Sequence, residues 1–157
     1  MAEGLAQMRE AFAAWRAIGA GVASPWFLAL LAEACGKAGQ IDEGLRTLDE
    51  ALAVVQNNEE HLYEAEVYRL KGELLLQEGP AHQEVAEEHF QQALTVARRQ
   101  QAKSWELRAA MSLARLWQQQ GKRAAAHQLL AEVYGWFTEG FDTADLQEAK
   151  ALLEELA

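Results

Sequence analysis

The stretch EGLRTLDEAL, Glu43–Leu52, is nearly repeated forty residues earlier as EGLAQMREAF, Glu3–Phe12, with the same Glu, Gly, Leu, Glu and Ala in step. A period of about 20 to 50 residues is typical of solenoids, in which each unit buries its apolar face only by stacking on its neighbours. The repeat therefore predicts an array of stacked units.

Apolar residues recur at helical spacing along most of the chain, as in Leu45, Leu48 and Leu52, and no segment alternates as a strand would. Ser24 and Pro25 have the pattern of an N-cap followed by a proline in the first turn. No linker or low-complexity segment interrupts the pattern, which predicts one continuous all-α array over residues 1–157. The eight predicted helices span about 3–18, 25–37, 41–56, 60–78, 82–99, 103–120, 122–138 and 143–156.

Small residues fix the register of the repeat. A small residue lies seven positions before a glycine in three places, namely Ala32 before Gly39, Gly72 before Gly79 and Ala114 before Gly121. A small side chain lets two helices approach closely, and the glycine can take the left-handed conformation that ends a helix. After each turn a trio with helical spacing follows: Gly44, Leu48 and Ala51; Ala86, Phe90 and Ala93; Ala126, Leu130 and Val133.

The trios divide the chain into helix pairs. The pairs are predicted at 25–56, 60–99 and 103–138, and a capping helix at 143–156. The opening helix, 3–18, carries the same trio as Gly4, Met8 and Ala11, and is interpreted as the second helix of a truncated unit.

These residues resemble tetratricopeptide (TPR) repeats, in particular LALLAEACGKAGQIDEGLRTLDEAL (Leu28–Leu52) and SLARLWQQQGKRAAAHQLL (Ser112–Leu130). The resemblance implies a solenoid of antiparallel helix pairs with a right-handed superhelical twist. The turn between Gly79 and Ala86 is two residues longer than its counterparts, and the period is 40 to 42 residues instead of the usual length of about 34. HEAT-like repeats share the longer period and are the structural alternative.

A more particular resemblance is to the C-terminal TPR segment of bacterial signalling proteins that join a nucleotide-cyclase domain to a P-loop ATPase module. It rests on QQAKSWELRAAMSLARLWQQQGKR and VYGWFTEGFDTADLQEAKALLEEL. No cyclase or ATPase motif is present in this sequence. The resemblance implies a regulatory role beside catalytic domains.

Composition argues against several classes of function. The 14 basic and 24 acidic side chains give a net charge of -10, which repels nucleic acid and anionic membranes. Apolar runs are far shorter than the roughly 20 residues of a membrane span, and the N-terminus lacks a signal-peptide pattern. With Cys35 as the single cysteine, a reducing cytoplasm is the expected compartment.

No catalytic, metal or cofactor site is expected. The four histidines are scattered without ligand spacing, at His61, His82, His89 and His127. Cys35 falls where a TPR unit buries a side chain, so a packed thiol is favoured over a nucleophile. The large aromatic residues are expected in the core, namely Trp15, Trp26, Trp105, Trp117, Trp136 and Phe137.

Positive charge is concentrated between Arg98 and Arg123, where seven basic residues and the single acid Glu106 give net +6, against net -16 elsewhere. A solvated helix face is one interpretation. The TPR resemblance implies another, a partner-binding groove along the first helices, acidic in its middle and basic towards the C-terminus. Its predicted residues are Trp26, Glu33, Lys37, Glu66, Arg69, Glu73, Gln77, Arg108, Met111, Arg115 and Gln118.

Two functions are consistent with these features. In the first, the chain is a non-catalytic module whose groove binds a peptide, a partner protein or another domain of its own parent protein, with an acidic ligand segment against Arg108 and Arg115 and an apolar side chain near Met111. The Lys and Asn clamp of chaperone-binding TPR domains has no match here. In the second, the array is a spacer or an oligomerisation element, with weak homodimers formed through the opening helix, whose Leu5, Met8, Phe12 and Trp15 are expected on a partly bare face.

Overall fold

A computed structural model describes residues 2–18 and 24–157. Within these ranges the chain is helical and contains no strand, which confirms the all-α fold class. The described helices are α1 (Ala2–Ala17), α2 (Pro25–Lys37), α3 (Ile41–Asn58), α4 (Glu64–Glu78), α5 (Gln83–Arg99), α6 (Lys103–Gln119), α7 (Arg123–Tyr134) and α8 (Ala144–Leu156), with a short 3-10 turn at Pro80–His82.

The helices form two rows. Helices α2, α4, α6 and α8 make the inner row, in which each helix packs on the next, and α1, α3, α5 and α7 make the outer row. In the described part of the chain, the backbones of consecutive outer helices stay apart, and α1 reaches α3 only through the long side chains of Arg9 and Arg16, which pair with Glu43 and Glu50. Because the inner helices are closer together than the outer ones, the array curves with the inner row on its concave side. This is the architecture of a TPR-like helical solenoid.

Burial confirms the predicted register. Ala32, Gly72 and Ala114 are buried, as are the trios of α3, α5 and α7 that pack against them. Phe90 of the central trio is fully buried, and a methyl group built on Gly72 would lie 2.5 Å from its ring. The close approach of α4 and α5 therefore requires glycine at position 72.

The opening helix differs from the other outer helices because no described helix precedes it. Two members of its trio, Gly4 and Ala11, are exposed, and Met8 is half-buried. Leu5 was expected on the bare face, but this prediction was wrong: Leu5 is buried against Leu31 and Cys35 of α2.

The same left-handed turn follows α2, α5 and α6. Gly39 and Gly121 have φ of +75° and +78°, and the amides of Gln40 and Lys122 donate to carbonyls five residues back, at 2.9 and 2.8 Å. After α5 the same turn is made by Gln101 at φ +56°. A side chain in this conformation is strained relative to glycine.

Two predicted helices were too long. Helix α4 begins at Glu64, not at residue 60, because Glu59 adopts φ +55° and ends α3. Helix α7 ends at Tyr134, not at residue 138, and residues 135–143 form a loop. Two aromatic residues predicted in the core, Trp26 and Trp136, are exposed.

Candidate protein-binding groove

The centre of the inner face is a polar network that joins α4 to α6. Arg69 donates to both carboxylate oxygens of Glu66, at 2.8 and 2.7 Å, and Arg108 lies 2.7 Å from the same carboxylate. Ser112 donates to Glu73 at 2.6 Å, and Arg69 lies 3.4 Å from Glu73. The structure thus brings together four of the predicted groove residues, and adds Ser112, which no sequence motif indicated.

Charge in this network is balanced internally. Burial alone would lower the pKa of Arg69, but its hydrogen bonds to Glu66 and the nearby charge of Glu73 raise the pKa above its ordinary value. Glu66 is itself buried and shared by two guanidinium groups. The predicted acidic middle of the groove is therefore a neutralised network that holds two inner helices together.

The C-terminal part of the predicted groove is covered by α8. Asp145 lies 3.8 Å from Arg108, and Glu148 lies 2.5 Å from Arg115. Met111 is only 3% exposed, in the same core cluster as Leu146. The prediction that Met111 lines an accessible groove was wrong, because the sequence did not show that the last helix packs on α6.

The remaining predicted groove residues are at the open surface. Lys37 is exposed and pairs with Glu33 at 2.8 Å within one helix. Gln77 is exposed, and Gln118 is half-buried. Such a pair on one exposed helix face contributes little to stability, so these side chains are available to a ligand.

An apolar cleft opens where α2, α4 and α6 begin. Trp26, Leu30, Tyr63 and Trp105 line it, with Arg108 at its side. The Tyr63 and Trp105 rings are 5.7 Å apart, and the Arg108 guanidinium lies 5.7 Å from the centroid of the Trp105 ring. Trp26 and Leu30 are exposed in the described structure. Sequence reasoning identified Trp26 and Arg108 but missed the other three: Trp105 was expected in the core, Tyr63 fell within the helix predicted over 60–78, and no motif indicated Leu30.

Every member of the basic stretch has a partner within the chain. Glu106 is buried between Arg98 and Lys103, at 2.9 and 2.7 Å. Burial alone would raise the pKa of Glu106, but hydrogen bonds from these two cations hold it below its usual value. The others pair as follows: Arg99 with Glu64, Arg108 with Glu66 and Asp145, Arg115 with Glu148, Lys122 with Glu87, and Arg123 with the carbonyl groups of Glu155 and Leu156. The positive stretch therefore links neighbouring helices.

The histidine and cysteine side chains do not converge. Within residues 2–18 and 24–157, no group of three or more His, Cys, Asp or Glu side chains is placed to hold a metal ion. Cys35 is fully buried, and burial raises the pKa of its thiol, which disfavours the reactive thiolate. Among the described helices, none is long and apolar enough to cross a membrane.

Paired helices and a curved inner row define a helical-repeat solenoid. Residues 22–99 match the family model of the tetratricopeptide repeat, which supports a TPR repeat domain over these residues. TPR repeats generally mediate protein–protein interactions and are typically non-catalytic. The pair α6 and α7 continues the same register beyond the matched residues, with Ala114, Ala126 and Leu130 fully buried. No curated protein matches the chain.

Proposed function

We propose that this chain is a non-catalytic interaction module whose inner face binds a peptide, a partner protein or another domain of its parent polypeptide. The observation that carries the proposal is the cleft between Trp26, Leu30 and Trp105. Exposed aromatic and aliphatic side chains in a concave site are typical anchors of protein interfaces. Glu33 also lines the cleft, and Lys37 and Gln77, near the C-terminal ends of α2 and α4, would extend the interface along the inner face.

An acidic ligand segment is a more particular version of this proposal. Asp145 and Glu148 already contact Arg108 and Arg115, so an acidic ligand has to displace them. Asp145→Asn with Glu148→Gln would then strengthen binding of an acidic peptide by freeing the two arginines. Unchanged affinity in this variant would count against the acidic version and leave the cleft proposal intact.

The parent protein is proposed to be a cytoplasmic bacterial signalling protein in which this array regulates nucleotide-cyclase and P-loop ATPase domains. The support is the resemblance of residues 100–123 and 133–156 to the C-terminal segment of such proteins. Restoring the array to its parent chain and comparing cyclase or ATPase activity with and without it would test this role.

Peptide selection tests the cleft directly. A library of random 12-residue peptides would be selected on the whole chain, and the dissociation constants of the enriched peptides measured. We expect Leu30→Glu to weaken binding at least about tenfold, because it places a charge in an apolar anchor site. Val85→Glu is the matched control, since Val85 is also exposed but lies in the first turn of α5. Equal effects of the two substitutions would refute the cleft as the binding site.

The alternative function is a spacer or oligomerisation element. An apolar cleft between α1 and α2, lined by Phe12, Trp15, Trp26 and Phe27, favours contact through the opening helix. Sedimentation over a range of concentrations distinguishes the functions: a dimer that Phe12→Glu dissociates supports the alternative, and a monomer at all concentrations contradicts it.

A further inference from the structure

One edge of the solenoid brings four chain segments together. Successive helices are antiparallel, so the end of α1, the start of α2 and the loops that follow α3, α5 and α7 lie on the same edge. Side-chain contacts confirm this: Gln100 donates to the carbonyl of His61 at 2.7 Å, and Lys103 lies 5.5 Å from the centroid of a Trp136 ring. We call this surface the loop edge, and define it as residues 18, 24–26, 59–63, 100–105 and 135–143.

Exposed apolar side chains are concentrated on the loop edge. In the described part of the chain it holds five of the seven large exposed hydrophobic residues, namely Ile18, Trp26, Leu62, Trp136 and Phe141, of which Leu62 and Trp136 are 64% and 58% exposed. Of the other two, Leu30 lies in the adjoining cleft and Val85 near the opposite edge. Single exposed hydrophobic residues are ordinary, but a concentration on one edge is typical of an interaction surface.

The charge on the loop edge indicates the chemistry of a partner. Its cations are neutralised, since Lys103 shares Glu106 with Arg98, and Arg99 pairs with Glu64. In contrast, four exposed acids on this edge form no ion pair within the described residues, namely Glu59, Glu60, Glu139 and Asp142. Glu59 and Glu60 closely precede Leu62, and Glu139 and Asp142 lie on either side of Phe141. The apolar side chains are therefore bordered by unpaired negative charge.

We propose that the loop edge docks a protein segment in which bulky apolar side chains are flanked by lysine or arginine. This site adjoins the inner cleft, with which it shares Trp26, Tyr63 and Trp105, and goes beyond the cleft proposal by extending to Leu62, Trp136 and Phe141. Neighbouring inner helices are about 8 to 10 Å apart, so Leu62 and Phe141 are separated by about 16 to 20 Å. An extended segment of about six residues spans that distance. A second copy docked edge to edge would bring the unpaired acids together, which disfavours self-association here.

The test uses peptides from a random 12-residue library selected on the whole chain. We expect enriched peptides to combine aromatic or aliphatic residues with lysine or arginine, and salt to weaken their binding. Trp136→Ala with Phe141→Ala should raise the dissociation constant at least about tenfold, whereas Val85→Ala should leave it unchanged. Loss of binding in Leu30→Glu but not in the Trp136 and Phe141 variant would overturn the loop edge and keep the cleft.

Charge is tested separately with matched variants. Glu139→Gln with Asp142→Asn should reduce the affinity and the salt dependence, and Glu84→Gln with Glu88→Gln on the exposed face of α5 should change neither. Enrichment of acidic peptides, failure to enrich any peptide, or equal effects of the two charge variants would overturn the proposal. A wild-type dimer that Trp136→Ala with Phe141→Ala dissociates would also overturn it, because a second copy would then cover the edge.

Discussion

The substitution Gly72→Ala tests the packing register that positions the inner face. The added methyl group would lie 2.5, 2.8 and 3.0 Å from three ring carbons of Phe90, which is fully buried. Carbon atoms pack at about 3.5 to 4.0 Å, so the ring or a helix has to move by about 1 Å. Such overpacking costs about 1 to 3 kcal/mol, whereas alanine in place of a helical glycine gains about 1 kcal/mol. We expect a net loss of about 1 kcal/mol.

Thermal and urea denaturation measure this loss. For a chain of this size 1 kcal/mol corresponds to about 2 to 4 °C in Tm. Gly4→Ala is the matched control: a methyl group on Gly4 meets nothing within 4 Å, so the same change should be neutral or stabilising by up to about 1 kcal/mol. In a Phe90→Leu background the cost of Gly72→Ala should fall by about 1 kcal/mol, because the smaller side chain leaves room. Stabilisation by Gly72→Ala equal to that of Gly4→Ala would refute the register.

Three further predictions concern single side chains. Ala114→Leu should destabilise the fold by about 1 to 3 kcal/mol because Ala114 is fully buried. The control is Gln119→Leu at an exposed site of the same helix. If both substitutions have equally small effects in thermal melts, the packing described for α6 is contradicted. Gln101→Gly should stabilise the fold by about 0.5 to 1 kcal/mol, since residue 101 has φ +56°. Gln119→Gly, within α6, should destabilise it. If a urea titration shows that Gln101→Gly also destabilises, the left-handed turn is contradicted. Glu106→Gln should cost about 1 to 2 kcal/mol at pH 7, because Arg98 and Lys103 lose their buried carboxylate. The pKa of Glu106 is lowered in the folded state, so this contribution is present above the unfolded pKa of about 4.3 and is lost as the pH falls through the folded-state pKa; a stability difference as large at about pH 3 as at pH 7 would contradict that direction.

The sequence was sufficient to predict the packing register. Side chains such as Ala32, Leu48 and Phe90 are fully buried, because the spacing of small and large residues directly reflects how one helix packs on the next. Helix ends were less certain. The start of α4 at Glu64, and not at residue 60, follows a left-handed Glu59, a conformation that glutamate rarely adopts and that its residue type does not indicate.

The ligand-facing residues were predicted less well than the core. The helical spacing of the predicted groove residues selects one face of each inner helix. It does not show whether a later helix packs on that face and covers it. Helix α8 packs on α6, and thereby buries Met111 and pairs Arg115 with Glu148. The positive charge of residues 98–123 likewise looked like a surface feature because its partners, such as Glu64 and Glu148, are about 30 residues or more away in sequence. Local patterns do not report such long-range pairs.

The central claim is that the inner cleft and the loop edge, and not the outer row, contact a protein ligand. The indole N–H signals of the tryptophans in an NMR spectrum test it most directly during titration with a library-selected peptide. We predict that the signals of Trp26, Trp105 and Trp136 shift, whereas that of Trp117, which donates to Glu87 at 2.8 Å between α5 and α6, stays in place. A shift of Trp117 without a shift of Trp26, Trp105 or Trp136 would contradict the claim.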